Sequence, residues 1–115
     1  MSKTAKRKPE LPAWETMRTK ETRDIEDRLR KAGFDKANAY RFNSASIRVR
    51  VIDPRFEGMS IPEREDLVFP VIDQLPKETR EDILLLLTLA PSELGGRNRH
   101  LLVNLEFDHP LPSRL

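Results

Sequence analysis

The run DILLLLTLAP, residues 82–91, decides how this 115-residue chain folds. Periodicity cannot assign a continuous apolar run this short. Leucine favours helix, but Asp82 at one end and Ala90-Pro91 at the other leave only seven or eight residues, the length of a strand buried on both faces. We read residues 82–89 as a central strand. Working back along the chain, Pro76 and the charged residues Lys77 to Glu81 form a short turn of helix. Before that, Leu67, Val68, Val71, Ile72 and Leu75 recur at helical spacing, with Glu63, Arg64, Glu65, Asp66, Asp73 and Gln74 on the wetter side. Ser60 and Glu63 stand in the S-x-x-E relation of a capping box, and Pro62 suits the first turn. Pro70 deletes one helical hydrogen bond, which predicts a kink or break between Asp66 and Pro70.

Upstream of this helix, Asp53-Pro54 ends an alternating strand at residues 46–52. Ile47, Val49 and Val51 face a core, and Ser46, Arg48 and Arg50 face the other way, so the reading puts two guanidinium groups in water. The outward arginines offer a surface for an anionic ligand, or simply protect the sheet from edge pairing. A preceding strand at 37–42 joins it through Asn43, Ser44 and Ala45, a short hairpin connection. A first helix over residues 19–32 has Thr19 or Thr22 as its cap, Ile25, Leu29 and Ala32 on one face, and Gly33 for a left-handed end. A crossover helix would then make strands 46–52 and 82–89 parallel neighbours.

Downstream of the leucine run, Pro91 to Gly96 closes the core. Leu101, Val103, Leu105 and Phe107 then alternate with Leu102, Asn104 and Glu106, an additional C-terminal strand that must join the sheet edge or a second copy of the protein. The chain thus divides into a basic arm (1–18), a folded domain (19–96) and an extension (97–115).

Composition bounds the function. With 37% apolar and 35% charged residues and no cysteine, the chain suits one domain without disulfides or thiolate metal sites. Its longest apolar stretch, Ile83 to Leu87, falls far short of the roughly 20 residues that span a bilayer, and no apolar segment follows the basic N-terminal residues, so a cytoplasmic address without membrane contact is expected. Charge is uneven. Residues 1–20 hold six basic side chains against Glu10 and Glu15, whereas the other 95 carry 15 basic and 17 acidic groups. Lys6-Arg7-Lys8, between prolines and polar residues, reads as a mobile arm able to touch phosphates, with Trp14 and Met17 pinning its end to the body. No phosphate loop, dinucleotide fingerprint, zinc-binding helix or nucleophile elbow occurs, and Glu63, Glu65, Asp66, Glu81 and Asp82 read as solvated carboxylates, so no enzyme is expected.

Taken together, Asn43, Val49, Val51, Phe56-Glu57-Gly58, Ser60, Arg64, Leu67-Val68, Leu84, Pro91 and Glu93 resemble the pattern of the BolA family: an Asn-containing hairpin, an alternating strand, a Phe-x-Gly loop, a Ser-capped helix and a strand closing on Pro-x-Glu. With the first helix, the likeness covers about residues 20–94. It implies an α+β, type II KH-like αββααβ domain with a mixed three-stranded sheet and helices on one face. It also implies a non-catalytic adaptor or regulator that meets a protein partner, such as a monothiol glutaredoxin, through Phe56, Gly58, Arg64 and Asp82. The family shares an iron–sulfur cluster through a histidine where this chain has Asp82. A carboxylate is a hard ligand ill-suited to cluster iron, and the hairpin Asn43-Ser44-Ala45 has no Cys or His, so no cofactor or metal is expected. His100 and His109 lie past the likeness. The alternative reading is nucleic-acid binding through Lys6, Arg7, Lys8, Arg48, Arg50 and Arg55, with the single Tyr and single Trp offering few stacking platforms.

Overall fold

The computed structural model describes residues 13–94 and Phe107. After a 3-10 turn at Ala13–Met17, the order is α1 (Lys20–Lys31), β1 (Lys36–Asn43), β2 (Ser46–Ile52), α2 (Ile61–Ile72), α3 (Lys77–Asp82) and β3 (Ile83–Leu89). Two further 3-10 turns, at Pro54–Phe56 and Pro91–Glu93, follow β2 and β3. The result is an α+β domain on a mixed three-stranded sheet.

Local chemistry sets the boundaries. Thr19 and Thr22 cap α1 reciprocally, as Ser60 and Glu63 cap α2. At the other end of α1 the chain turns through Gly33 at φ +103°, with Gly33 N–H donating to the Arg30 carbonyl and Phe34 N–H to that of Leu29. This is a Schellman closure, and it needs the positive φ that glycine adopts freely. Helix α2 runs through Pro70 to Ile72 without the expected break. The proline sits in the last turn, where the one lost bond leaves most of the helical ladder in place, and packing of Val68 and Ile72 holds the segment down.

Strands β1 and β2 pair antiparallel across a two-residue turn, with a bulge at Phe42, and β2 and β3 pair parallel with Val49 beside Leu86 and Val51 beside Thr88. The strand order is β1-β2-β3. The leucine run is therefore a strand beside the arginine-bearing one, but it lies at the edge, and β2 occupies the centre. Only its second half, Leu87 to Leu89, is buried, while Leu84 is 69% exposed. An apolar run looks the same whether it is covered or open, because the cover comes from distant residues.

Both faces of the sheet are covered. Ile25, Leu29, Val68 and Ile72 of the helices pack with Ala37, Ala39, Ile47, Val49 and Val51 on one face, joined by Phe34, Phe56, Leu75 and Ala90. On the other face Trp14 and Phe107 lie against Tyr40, Ile52, Leu87 and Leu89. The expectation that this face shows Arg48 and Arg50 to water is overturned for Arg50, which is 8% exposed. Its guanidinium lies 4.3 Å from the Phe107 ring and 6.0 Å from that of Trp14, and it donates to Asn38 Oδ1 at 3.2 Å. Alternation marks two faces without saying that the charged one is wet, since an arginine can stack its planar head on aromatic rings. The N-terminal arm likewise ends sooner than drawn, because Trp14 is buried and Arg18 pairs with Glu26. The basic residues Lys6, Arg7 and Lys8 and most of the expected C-terminal strand lie outside the described residues. Phe107, the one described residue of that strand, is helical and buried.

Candidate functional site

Two of the residues that carry the sequence likeness, Arg64 and Glu93, form one internal lock. Arg64, projecting from the first turn of α2, donates to the Met59 carbonyl at 3.0 Å and to the Thr88 carbonyl of β3 at 2.8 Å. Its two terminal nitrogens grip Glu93 at 2.7 and 2.9 Å. Glu93 also accepts the Ala90 N–H at 2.8 Å. The fork geometry of a guanidinium suits this bidentate contact. The Arg64 hydrogen bond holds the Glu93 carboxyl below the usual range against the upward push of burial, and the Ala90 N–H adds to the lowering. In turn, the Glu93 hydrogen bond raises Arg64 above its ordinary value. One side chain thus ties the α2 N-terminus to the end of β3 and to the turn that follows it.

Phe56 lies beside this lock, fully buried, with its ring 6.1 Å from that of Phe34. As placed, neither Phe56 nor Arg64 presents a side chain to a partner; burial and four directed hydrogen bonds commit them to the interior. Gly58, at φ +75°, is exposed, and a Cβ there would meet nothing within 4 Å, so the glycine answers a backbone angle and not a shortage of room. Asp53 forms a second lock that sequence reasoning missed. Burial pushes its carboxyl up, but the Arg55 side chain, the N–H groups of Arg55 and Asp35, and the Arg55 charge together bring it below its ordinary value. Arg55 is consequently spent on Asp53 and on the Phe34 ring, 4.7 Å away.

Asp82, the last residue of α3 and directly before β3, accepts from Arg41 at 3.0 Å, and Arg41 also donates to the Ser44 carbonyl at 3.1 Å. The contact ties the β1–β2 hairpin to the beginning of β3. Among the described residues no group of three His, Cys, Asp or Glu side chains is placed to hold a metal ion. Arg48 lies 3.9 Å over the Phe42 ring and donates to the Tyr40 hydroxyl at 3.2 Å. The structure therefore does not gather Arg48, Arg50 and Arg55 into one exposed cationic patch; each is engaged by an aromatic ring, and Arg50 and Arg55 also by Asn38 and Asp53.

What the structure does present is an unequal pair of sheet edges. On β1 two outward groups are occupied: Ala39 N–H donates to Glu26 Oε2 at 2.9 Å, and the Ala37 carbonyl accepts from Arg30 at 3.2 Å. Glu26 is itself buried and held by Arg18. On β3, the Thr88 carbonyl accepts from Arg64, and among the described residues no other side chain caps the outward edge. An open cleft of about 350 Å³ adjoins the first half of β3, with Phe42, Ala45, Arg48, Leu84 and Leu85 among its walls. Exposed Leu84 stands at the irregularity between the Ile47–Ile83 and Arg48–Leu85 pairs. No signal in one sequence distinguishes the plugged edge from the open one, because Glu26 and Arg30 look like ordinary surface charges of an amphipathic helix. Searches against models of protein families, against curated proteins and against solved structures return no match.

Proposed function

We propose that this protein is a BolA-like, non-catalytic adaptor that works by protein–protein contact, with the first half of β3 and its adjoining cleft as the docking surface. The observation that carries the reading is Leu84, 69% exposed on a sheet edge whose neighbours Leu85 and Leu86 are only partly covered. Exposed apolar side chains on an edge that no described strand pairs are what strand addition uses. The displaced carboxylates support a non-catalytic role. Glu21, Asp53, Glu63 and Glu93 all sit below their ordinary values, held there by hydrogen bonds that maintain the structure, whereas a general acid or base is tuned toward neutral pH. In this reading Asp82 borders the contact, and Arg64, with Phe56 and Gly58 close by in the preceding loop, braces the far end of β3 from within.

The sequence likeness nominates a monothiol glutaredoxin as the partner to test. Titrating the isotopically labelled full chain with such a protein should move the amide signals of Asp82 to Leu86 and of the hairpin turn, and leave no cluster absorption in the visible range. Unmoved signals over Asp82 to Leu86 would overturn the reading.

A further inference from the structure

We infer that the outer face of α2 is a second docking surface of this chain, and that its occupant is a basic amphipathic helix of a protein partner. This surface is separate from the β3 contact and stands on other observations.

A helix packed on a sheet is ordinarily apolar inward and polar outward. Helix α1 follows that rule, and its outer charges pair with one another, Arg28 with Asp24 and Arg30 with Asp27. Helix α2 departs from it. Val68 and Ile72 face the core, yet of the four large apolar side chains exposed among the described residues, three, Ile61, Leu67 and Phe69, are on α2. Ile61, Glu65, Phe69 and Asp73 follow one another at four-residue spacing and so form one ridge of alternating apolar and acidic side chains, with Asp66 beside Phe69.

Nothing described covers this ridge. Val71 and Gln74, about half a turn around the helix from Phe69, are the residues that meet Arg28 and Lys31 of α1. Trp14, Leu94 and Phe107, which stand next to the undescribed segments, all pack on the opposite face of the sheet. Those segments are therefore tethered on the far side from the ridge.

Charge names the occupant. From Ile61 to Asp73 there are four carboxylates and one cation, Arg64, which is buried and turned to Glu93. Glu63 serves the Ser60 cap. Among the described residues no cation pairs with Glu65, Asp66 or Asp73, and Arg80 reaches only the Asp73 main-chain carbonyl, at 3.1 Å. Asp73 moreover caps the C-terminal end of α2, where a carboxylate opposes the helix dipole. Neither that charge nor an open phenyl ring helps α2 fold, and both suit a cationic, apolar ligand. Nucleic acid, anionic lipid and a second copy of the same face would be repelled, which leaves a cationic protein segment. Ridges of four-residue spacing fit the grooves of another helix, so apolar side chains of the partner straddle Phe69 while its Lys or Arg heads reach Glu65, Asp66 and Asp73.

The probe is a synthetic peptide of about 18 residues, long enough to hold a helix, with leucine on one face and lysine on the other. Titrated into the isotopically labelled full chain, it should bind with a Kd on the order of 50 µM and weaken at least about fivefold between roughly 50 and 300 mM salt. The amide signals of Glu65 to Asp73 should move, and those of Asp82 to Leu86 should stay in place. Phe69→Ala should weaken binding about tenfold with an unchanged circular dichroism spectrum, and so should Asp66→Lys combined with Asp73→Lys. The charge-reversed chain should instead take up the counterpart peptide that carries glutamate in place of lysine. No binding up to about 1 mM, shifts centred outside α2, or full affinity in Phe69→Ala overturns the inference. So does a peptide of lysine alone that binds as tightly, since it reads charge and ignores the apolar half of the ridge. The glutaredoxin titration reads Asp82 to Leu86 and this one reads α2, so either surface can fail without the other.

Discussion

Arg64 shows how a residue that a motif marks for function can be consumed by structure. Removing it leaves the Thr88 and Met59 carbonyls and the Glu93 carboxylate without their shared donor, so Arg64→Ala should cost about 2–4 kcal/mol in denaturant unfolding, discounted for the one-third exposure of Glu93. The same pair sets the acid limb of stability. The folded pKa values of Glu93 and Asp53 lie below their unfolded ones, so the unfolded chain binds more protons in the window between. Their contribution is therefore full above the unfolded carboxylate range, about pH 4–4.5, and fades as pH falls through the depressed folded values. Urea unfolding from pH 7 to pH 2.5 should show this decline, and Glu93→Gln should be less stable than the parent at pH 7 but converge with it toward the acid end. Phe56, completely buried against Phe34 and the core, should cost about 3–5 kcal/mol on substitution by alanine.

Helix ends and turns were legible because their causes lie within a few residues. Ser60 and Glu63, Thr19 and Thr22, and Gly33 each satisfy backbone groups locally, and the helices start or stop where these residues stand. Gly33→Ala should destabilise by about 1 kcal/mol or more, since the added Cβ meets no neighbour but must share a φ of +103°. Pro70 is the case where a local rule lost. The ring removes the bond to the Asp66 carbonyl, yet the anchors Val68 and Ile72 on either side keep α2 continuous to Ile72. Pro70→Ala restores that donor at an exposed site and should raise stability by about 1 kcal/mol or more in the same unfolding assay, consistent with the cost of an interior proline.

Across the whole molecule, the second face of the sheet is assembled from parts far apart in the chain. Trp14, Tyr40, Arg50 and Phe107 meet with ring centroids 4.9–6.3 Å apart and the guanidinium of Arg50 among them. Trp14 is the single tryptophan, so its fluorescence reports this assembly directly. Phe107→Ala should shift its emission to longer wavelength and cost about 3 kcal/mol, with little change at the helical face. The same burial bears on the nucleic-acid reading. With Arg50 under aromatic rings and Arg55 on Asp53, any salt-dependent retention on heparin should persist in Arg50→Lys and vanish when Lys6, Arg7 and Lys8 are neutralised.

By itself the sequence determined the element order, the caps, the strand character of residues 83–89 and their place beside β2, because periodicity, turn chemistry and end signals act over ten residues or fewer. It also picked out Phe56, Gly58, Arg64, Asp82 and Glu93, though it could not say whether they face a partner or one another. Only the tertiary structure decided that β2 is central and β3 the edge, that Glu26 and Arg30 engage the far edge, and that Arg50 is buried. Each of these depends on which distant group arrives to cover a strand, and burial and edge pairing are properties of that arrangement in space, to which neighbours along the chain contribute little.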